Sequence, residues 1–192
     1  MVNPDFEQAV EDNAVSIVRE LLRNGESPDD YVCFLAIRRN SNAVLRVLIR
    51  AGANLDAVEH PKGGGGTPLM RAIRGRNMRA FRLLLKAGAL INKRGFWEFP
   101  LHVAAREGSV AFTRACIAAG ARIEKRDRGG NTPLMIVALF GHADVVRLLL
   151  RVGANPRARD RVGQTACEIA AGSNQAEVVE LLKGLPARKK KR

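Results

Sequence analysis

Residues Asp127–Asn155, DRGGNTPLMIVALFGHADVVRLLLRVGAN, carry the pattern that decides the fold. The Thr132 hydroxyl can accept a hydrogen bond from a free backbone N–H at a helix start, and Pro133 suits the first helical position, where no N–H is needed. Gly141 can take the left-handed backbone conformation that stops this first, short helix. Val145, Val146, Leu148, Leu149 and Leu150 then have the apolar spacing of a second helix, which Gly153 closes in the same manner. The stretch predicts a short helix, a tight turn, a second helix and a polar extended loop of about ten residues.

The same phrases recur along the chain. Ala51-Gly52-Ala53 returns as Ala87-Gly88-Ala89, Ala119-Gly120-Ala121 and Val152-Gly153-Ala154, at glycine intervals of 36, 32 and 33. Thr67-Pro68-Leu69-Met70 returns as Phe99-Pro100-Leu101-His102, Thr132-Pro133-Leu134-Met135 and Thr165-Ala166-Cys167-Glu168, at intervals of 32, 33 and 33. Two independent markers keep one period, the signature of a repeat architecture. Fainter copies align Cys33–Ala53 with Leu69–Ala89, and Phe6–Gly25 with Phe34–Gly52.

This pattern resembles the ankyrin repeat, whose period is about 33 residues and whose signature is T-P-L-H-x-A. The resemblance covers nearly the whole chain and implies an all-α solenoid of stacked helix-turn-helix units with β-hairpin-like finger loops. Six units are expected, at about 3–29, 30–62, 66–95, 99–127, 131–160 and 164–185, forming a single domain 1–185 with a basic tail 186–192. The first and last read as caps: Glu7, Gln8, Glu11 and Asp12 give one end a polar face, and Lys183 stands in the last unit where Leu150 stands in the one before. On this reading the solenoid is complete.

The departures cluster. Trp97 falls where a finger has glycine, Phe99 replaces the capping threonine, and that finger is one residue short. The preceding finger is three residues longer and holds His60-Pro61-Lys62-Gly63-Gly64-Gly65-Gly66, which is expected to be flexible. Arg76 occupies a position where glycine ordinarily ends the helix, at some cost in local strain.

Charge and composition narrow the function. The 192 residues are 46% hydrophobic, enough for a packed core, with a formal net charge of +13. Residues 1–30 hold eight acidic and two basic side chains, net −6, so the remainder is +19. Such a field attracts anionic partners without saying which kind. No apolar run approaches the roughly 18 residues that span a bilayer, and the acidic start does not resemble a secretory signal. Cys33, Cys116 and Cys167 form no CxxC pair, fit a reducing compartment, and read as buried small hydrophobes. An intracellular protein, cytoplasmic or nuclear, is expected.

The resemblance places partner binding on a concave surface of finger tips and first helices. The fingers supply Lys93 and Arg94, then Lys125, Arg126 and Arg128, then Arg157, Arg159 and Arg161. The first helices supply Arg38, Arg39, Arg71, Arg74 and Arg106, and the column turns apolar at Leu139 and Phe140. Arginine pairs with carboxylates or phosphates through a planar two-bond fork, and aromatics beside arginine, here Phe96 and Trp97, are frequent interface hot spots. The alternative is that arginine merely solubilises the surface, since second helices also carry Arg46, Arg50, Arg79, Arg82, Arg114, Arg147 and Arg151. Trp97 and Phe99 could instead fold back to plug their irregular finger.

His102 matches the signature histidine, which in this family bonds neighbouring backbone, and His142 reads as structural too. His60 lacks metal-ligand neighbours at zinc spacing, and Lys62–Thr67 lacks the order of a phosphate-binding loop. No catalytic constellation emerges, and no cofactor or metal is expected. The resulting expectation is a non-enzymatic adaptor, monomeric alone, that binds an acidic or phosphorylated segment of another protein. A nucleic-acid or anionic-membrane adaptor and a structural subunit of a larger complex are the alternatives. The terminal run Arg188-Lys189-Lys190-Lys191-Arg192 could be a nuclear localisation signal, a polyanion contact or a solvated end.

Overall fold

Helices of seven to nine residues are too short to persist alone in water, so their stability must come from packing. The computed structural model describes residues 4–184, which form twelve such α-helices. These are α1 (Pro4–Glu11), α2 (Val15–Arg23), α3 (Asp30–Arg38), α4 (Asn42–Arg50), α5 (Pro68–Arg74), α6 (Met78–Lys86), α7 (Pro100–Arg106), α8 (Val110–Ala118), α9 (Pro133–Phe140), α10 (Ala143–Arg151), α11 (Ala166–Gly172) and α12 (Ala176–Lys183). A short 3-10 turn at Pro61–Gly63 lies in the long finger, and no strand occurs among the described residues, so the fingers are turns.

Each pair of helices stacks on the next, giving the expected all-helical solenoid. The odd-numbered helices pack on one another from α1 to α11 and form one layer. The even-numbered helices form a second, in which Phe81 of α6 meets Phe112 of α8 edge-to-face at 5.4 Å. The odd layer is the more apolar: Leu134, Met135, Ile136, Val137 and Ala138 in α9 are all buried. In α10, by contrast, Val145, Val146, Leu148 and Leu149 are buried while Asp144 and Arg147 face water.

The helix starts follow the sequence closely. Thr67, Thr132 and Thr165 accept from the N–H groups of Met70, Met135 and Glu168 at 3.3–3.5 Å. Each such cap is worth about 1 kcal/mol. Phe99 has no oxygen with which to cap α7, so that start goes uncapped. At the helix stops, Gly141 sits at φ +77°, and Arg76 is forced to φ +51°, the strained conformation expected of it.

His102 joins neighbouring units. Its Nε2 lies 3.0 Å from the Asn131 carbonyl, while Nδ1 is buried with no partner among the described residues. Burial therefore holds the imidazole below its ordinary value of 6.5, against the opposing pull of the Asn131 bond and of Asp127 and Glu98. The unfolded chain takes up a proton near pH 6.5 that the native chain refuses, so stability is full above that pH and declines as pH falls through it. The slope is at most about 1.4 kcal/mol per pH unit. Urea midpoints at pH 7 and 5 should separate less for His102→Gln than for the native chain; equal separations would show that His102 is not the titrating group.

Candidate partner-binding surface

The fingers following α6, α8 and α10 present the finger cations singled out by the sequence, and local bonding fixes their turns. Asp127 N–H donates to the Asn131 carbonyl at 2.9 Å, and Asp160 N–H donates to the Gln164 carbonyl at 2.9 Å. The Asp127 and Asp160 carboxylates accept from the N–H groups of Asn131 and Gln164, both at 2.8 Å. These finger aspartates thus bond their own backbone.

The long finger makes several contacts with the body of the stack. Glu59 N–H donates to the Gly66 carbonyl at 2.9 Å. Arg71 donates to the Gly63 carbonyl, and Arg74 donates to the Gly64 carbonyl at 2.9 Å. Phe96 N–H donates to the Gly65 carbonyl at 2.6 Å, docking the short finger on the long one. The two backbones approach so closely that a Cβ on Gly95 would stand 2.5 Å from the Gly65 oxygen. The glycine run permits contact with two arginines and a neighbouring backbone.

The irregular short finger resolves the alternatives for its aromatics. Phe99 is buried and plugs the finger base, with the Lys125 ammonium 5.3 Å from its ring centroid. Trp97 and Phe96 stay 50% and 40% exposed and meet edge-to-face at 4.7 Å. The Arg128 guanidinium lies 4.7 Å from the Trp97 ring centroid and 5.4 Å from that of Phe96. The Arg128 backbone N–H also donates to the Trp97 carbonyl at 2.8 Å, which holds the two fingers in register. The result is an exposed cation–aromatic cluster assembled from two fingers.

The remaining predicted cations divide by partner. Arg71 pairs with Glu59, while Arg74 and Arg106 converge on the Glu98 carboxylate at 3.2 and 2.6 Å. Glu98 is buried. Arg126 donates to the carbonyls of Gly130 and Arg159 at 2.6 and 2.7 Å, bridging two fingers. Arg159 donates to the Gly163 carbonyl and lies 3.6 Å from Glu168. Arg39 pairs with Glu11 at the first units, and Arg38 donates to the Tyr31 hydroxyl at 3.1 Å. Lys93, Arg94, Arg157 and Arg161 are exposed, and their side chains have no hydrogen-bond or ion-pair partner among the described residues. Lys93, Arg94, Lys125 and Arg126 line an open cleft of about 620 Å³, with Leu90, Ile91 and Phe99 as its apolar wall. Leu139 and Phe140 are exposed beside this row, and the Arg106 guanidinium lies 5.9 Å from the Phe140 ring centroid.

Glu59 and Glu98 escaped the sequence reading, although a signal was present. They are the only acidic residues between positions 57 and 106, a stretch that contains all three of their arginine partners. Burial pushes the Cys33 and Cys116 thiols up to about 12, with Asp30 and Asp29 adding to the effect at Cys33, whereas Cys167, expected to be buried like them, is only half-buried. The basic run Arg188–Arg192 lies outside the described residues.

Removing the Glu98 charge should leave Arg74 and Arg106 facing each other without a counterion. Breaking a buried pair costs about 3–5 kcal/mol, and the partial exposure of both guanidiniums discounts this to about 2 kcal/mol for Glu98→Gln. Urea denaturation measures the loss; a variant as stable as the native chain would show that the carboxylate does not organise these fingers.

The family model described as ankyrin repeats (3 copies) matches residues 6–95 and again 99–191. A potassium channel, KOR2 of Oryza sativa subsp. japonica, is 40% identical over 70 residues, 36% of this chain and 10% of the channel. Alpha-latrotoxin-Lg1a of Latrodectus geometricus is 26% identical over 149 residues, 64% of this chain and 11% of the toxin. The matches thus span about a tenth of these relatives' lengths. No helix among the described residues is long and apolar enough to cross a membrane. With its paired short helices, threonine caps and inter-finger bonds, the chain belongs to the ankyrin repeat family, whose repeats are protein–protein interaction modules.

Proposed function

We propose that the chain is a non-catalytic adaptor that grips an acidic or phosphorylated segment of another protein between its fingers and its concave face. The observation that carries this reading is the Arg128 guanidinium held over the exposed Trp97 and Phe96 rings, with Lys93 and Arg94 unpaired on the same finger. Stacking fixes Arg128 without using its N–H donors, so they remain free for a carboxylate or phosphate. The rings supply apolar area at small entropic cost, the composition of an interface anchor. Lys125, Arg157 and Arg161 extend the positive field along the row, while Arg71, Arg74, Arg106, Arg126 and Arg159 hold the fingers in place. Leu139 and Phe140 offer a second apolar contact. The adaptor acts as a monomer in the cytoplasm, or in the nucleus if Arg188–Arg192 serves as an import signal.

Trp97 is the sole tryptophan, so its fluorescence reports directly on this site. After affinity capture and identification of the partner, titrating its acidic segment should shift the Trp97 emission. The pair Lys93→Glu and Arg94→Glu should weaken that segment by about tenfold or more, and Trp97→Ala by a similar factor. Unchanged affinity in both variants, with circular dichroism intact, would exclude this surface.

A further inference from the structure

The even-numbered layer carries a second basic surface. Helices α4, α6 and α8 contain no acidic residue, yet they expose Arg46, Arg50, Arg79, Arg82, Lys86 and Arg114. None of these six side chains has a hydrogen-bond or ion-pair partner among the described residues. One cation of the neighbouring α10 differs. Arg147 of α10 pairs with Asp144 and Glu177, at 3.0 and 2.7 Å. Arg19 and Arg23 of α2 and Arg151 of α10 are also unpaired among the described residues, but α2, α10 and α12 carry acidic residues (Glu20; Asp144; Glu177 and Glu180), so the middle three helices alone are purely cationic.

A groove of about 440 Å³ runs between α4 and α6 inside this region. Ile49, Leu83 and Ala87 form its apolar part, and Arg46, Arg50 and Lys86 form its cationic part. Arg46 and Arg50 are four residues apart on one helix, as are Arg82 and Lys86 on the other. Four-residue spacing is that of carboxylates along one edge of a partner helix, since residues three and four apart share a helical face.

We propose that this groove docks an acidic amphipathic helix of a partner protein, laid along α4 and α6. Its apolar side chains enter between Ile49 and Leu83, and its flanking carboxylates meet Arg46, Arg50 and Lys86. The charge complementarity selects an acidic occupant, and the apolar floor selects a helix over a polyphosphate. A nucleic-acid duplex gains nothing from Ile49 and Leu83, and a flat bilayer surface does not reach into a groove between two helices. The site shares no residue with the fingers, so it stands independently of the adaptor reading above. Helix-in-groove docking uses apolar anchors at helical spacing in this manner.

The test uses a synthetic peptide of about 15 residues, with leucine at helical spacing and glutamate on the flanks, labelled for fluorescence anisotropy. Its controls are a scrambled peptide of identical composition, a DNA duplex of about 20 base pairs and phosphatidylserine vesicles, all at about 150 mM salt. The full chain should bind the amphipathic peptide at least about tenfold more tightly than the scrambled one, and the double variant Arg50→Glu/Lys86→Glu should abolish that preference. Lys93→Glu/Arg94→Glu, a reversal of equal charge on the fingers, should leave it unchanged. Both reversals fall on exposed, unpaired side chains, and circular dichroism checks that each variant stays helical. Equal binding of scrambled and amphipathic peptides, absence of peptide binding, or preferential binding of duplex or vesicles through Arg50 and Lys86 would each overturn the proposal.

Discussion

A pair of helices this short cannot bury its own apolar side chains, and everything else in the molecule follows from that constraint. Each unit completes its core only against the next, so the chain becomes a stack in which α7 needs α5 and α9 on either side. The same constraint explains why the period is kept so strictly. An insertion within a helix would move every apolar side chain off its neighbour, whereas an insertion in a finger does not. The three extra residues of the long finger fall where the constraint is weakest. They are then fastened by Arg71 and Arg74 rather than by apolar packing.

Stacking also determines what the charge does. Because the fingers project side by side, a cation in one finger reaches the backbone of the next, and Arg126 uses its donors to bridge the Gly130 and Arg159 carbonyls. Where two finger bases converge on an inner helix, Glu98 draws in Arg74 and Arg106 from helices in successive units. The basic excess thus separates into arginines that hold fingers and cations that hold nothing. The second group is the one with binding capacity left over, and it includes Lys93, Arg94, Arg157 and Arg161 in the fingers as well as the row on α4, α6 and α8.

The repeat was legible because its markers act locally. Thr132 caps its own helix and Gly141 ends it, so spacing alone located both. His102 was legible through the resemblance, whose signature histidine bonds neighbouring backbone, as His102 bonds the Asn131 carbonyl. What the sequence concealed depends on where fingers meet. Glu98 lies 24 residues from Arg74 and 8 from Arg106, and nothing in that spacing announces a shared carboxylate. The glycine run at Gly63–Gly66 shows in composition only as a loop without side chains, and composition does not announce that this lack admits two arginines and a neighbouring finger's backbone. The fate of the short-finger aromatics turned on geometry in the same way: the Phe99 ring is buried under Lys125 at the finger base, and Trp97 is left outside with Arg128 across its face.

Paired and unpaired arginines have separate tasks here, and a matched thermal-denaturation series separates them. Arg74→Gln removes a guanidinium bound to Glu98 and to the Gly64 carbonyl, while Arg94→Gln removes one with no partner among the described residues. A loss of about 1–2 kcal/mol in a chain of this size lowers Tm by roughly 2–8 °C, and that is the result expected for Arg74→Gln. Arg94→Gln should stay within about 1 °C of the native chain, as surface substitutions away from special contacts do. Equal shifts in the two variants would contradict the division of labour.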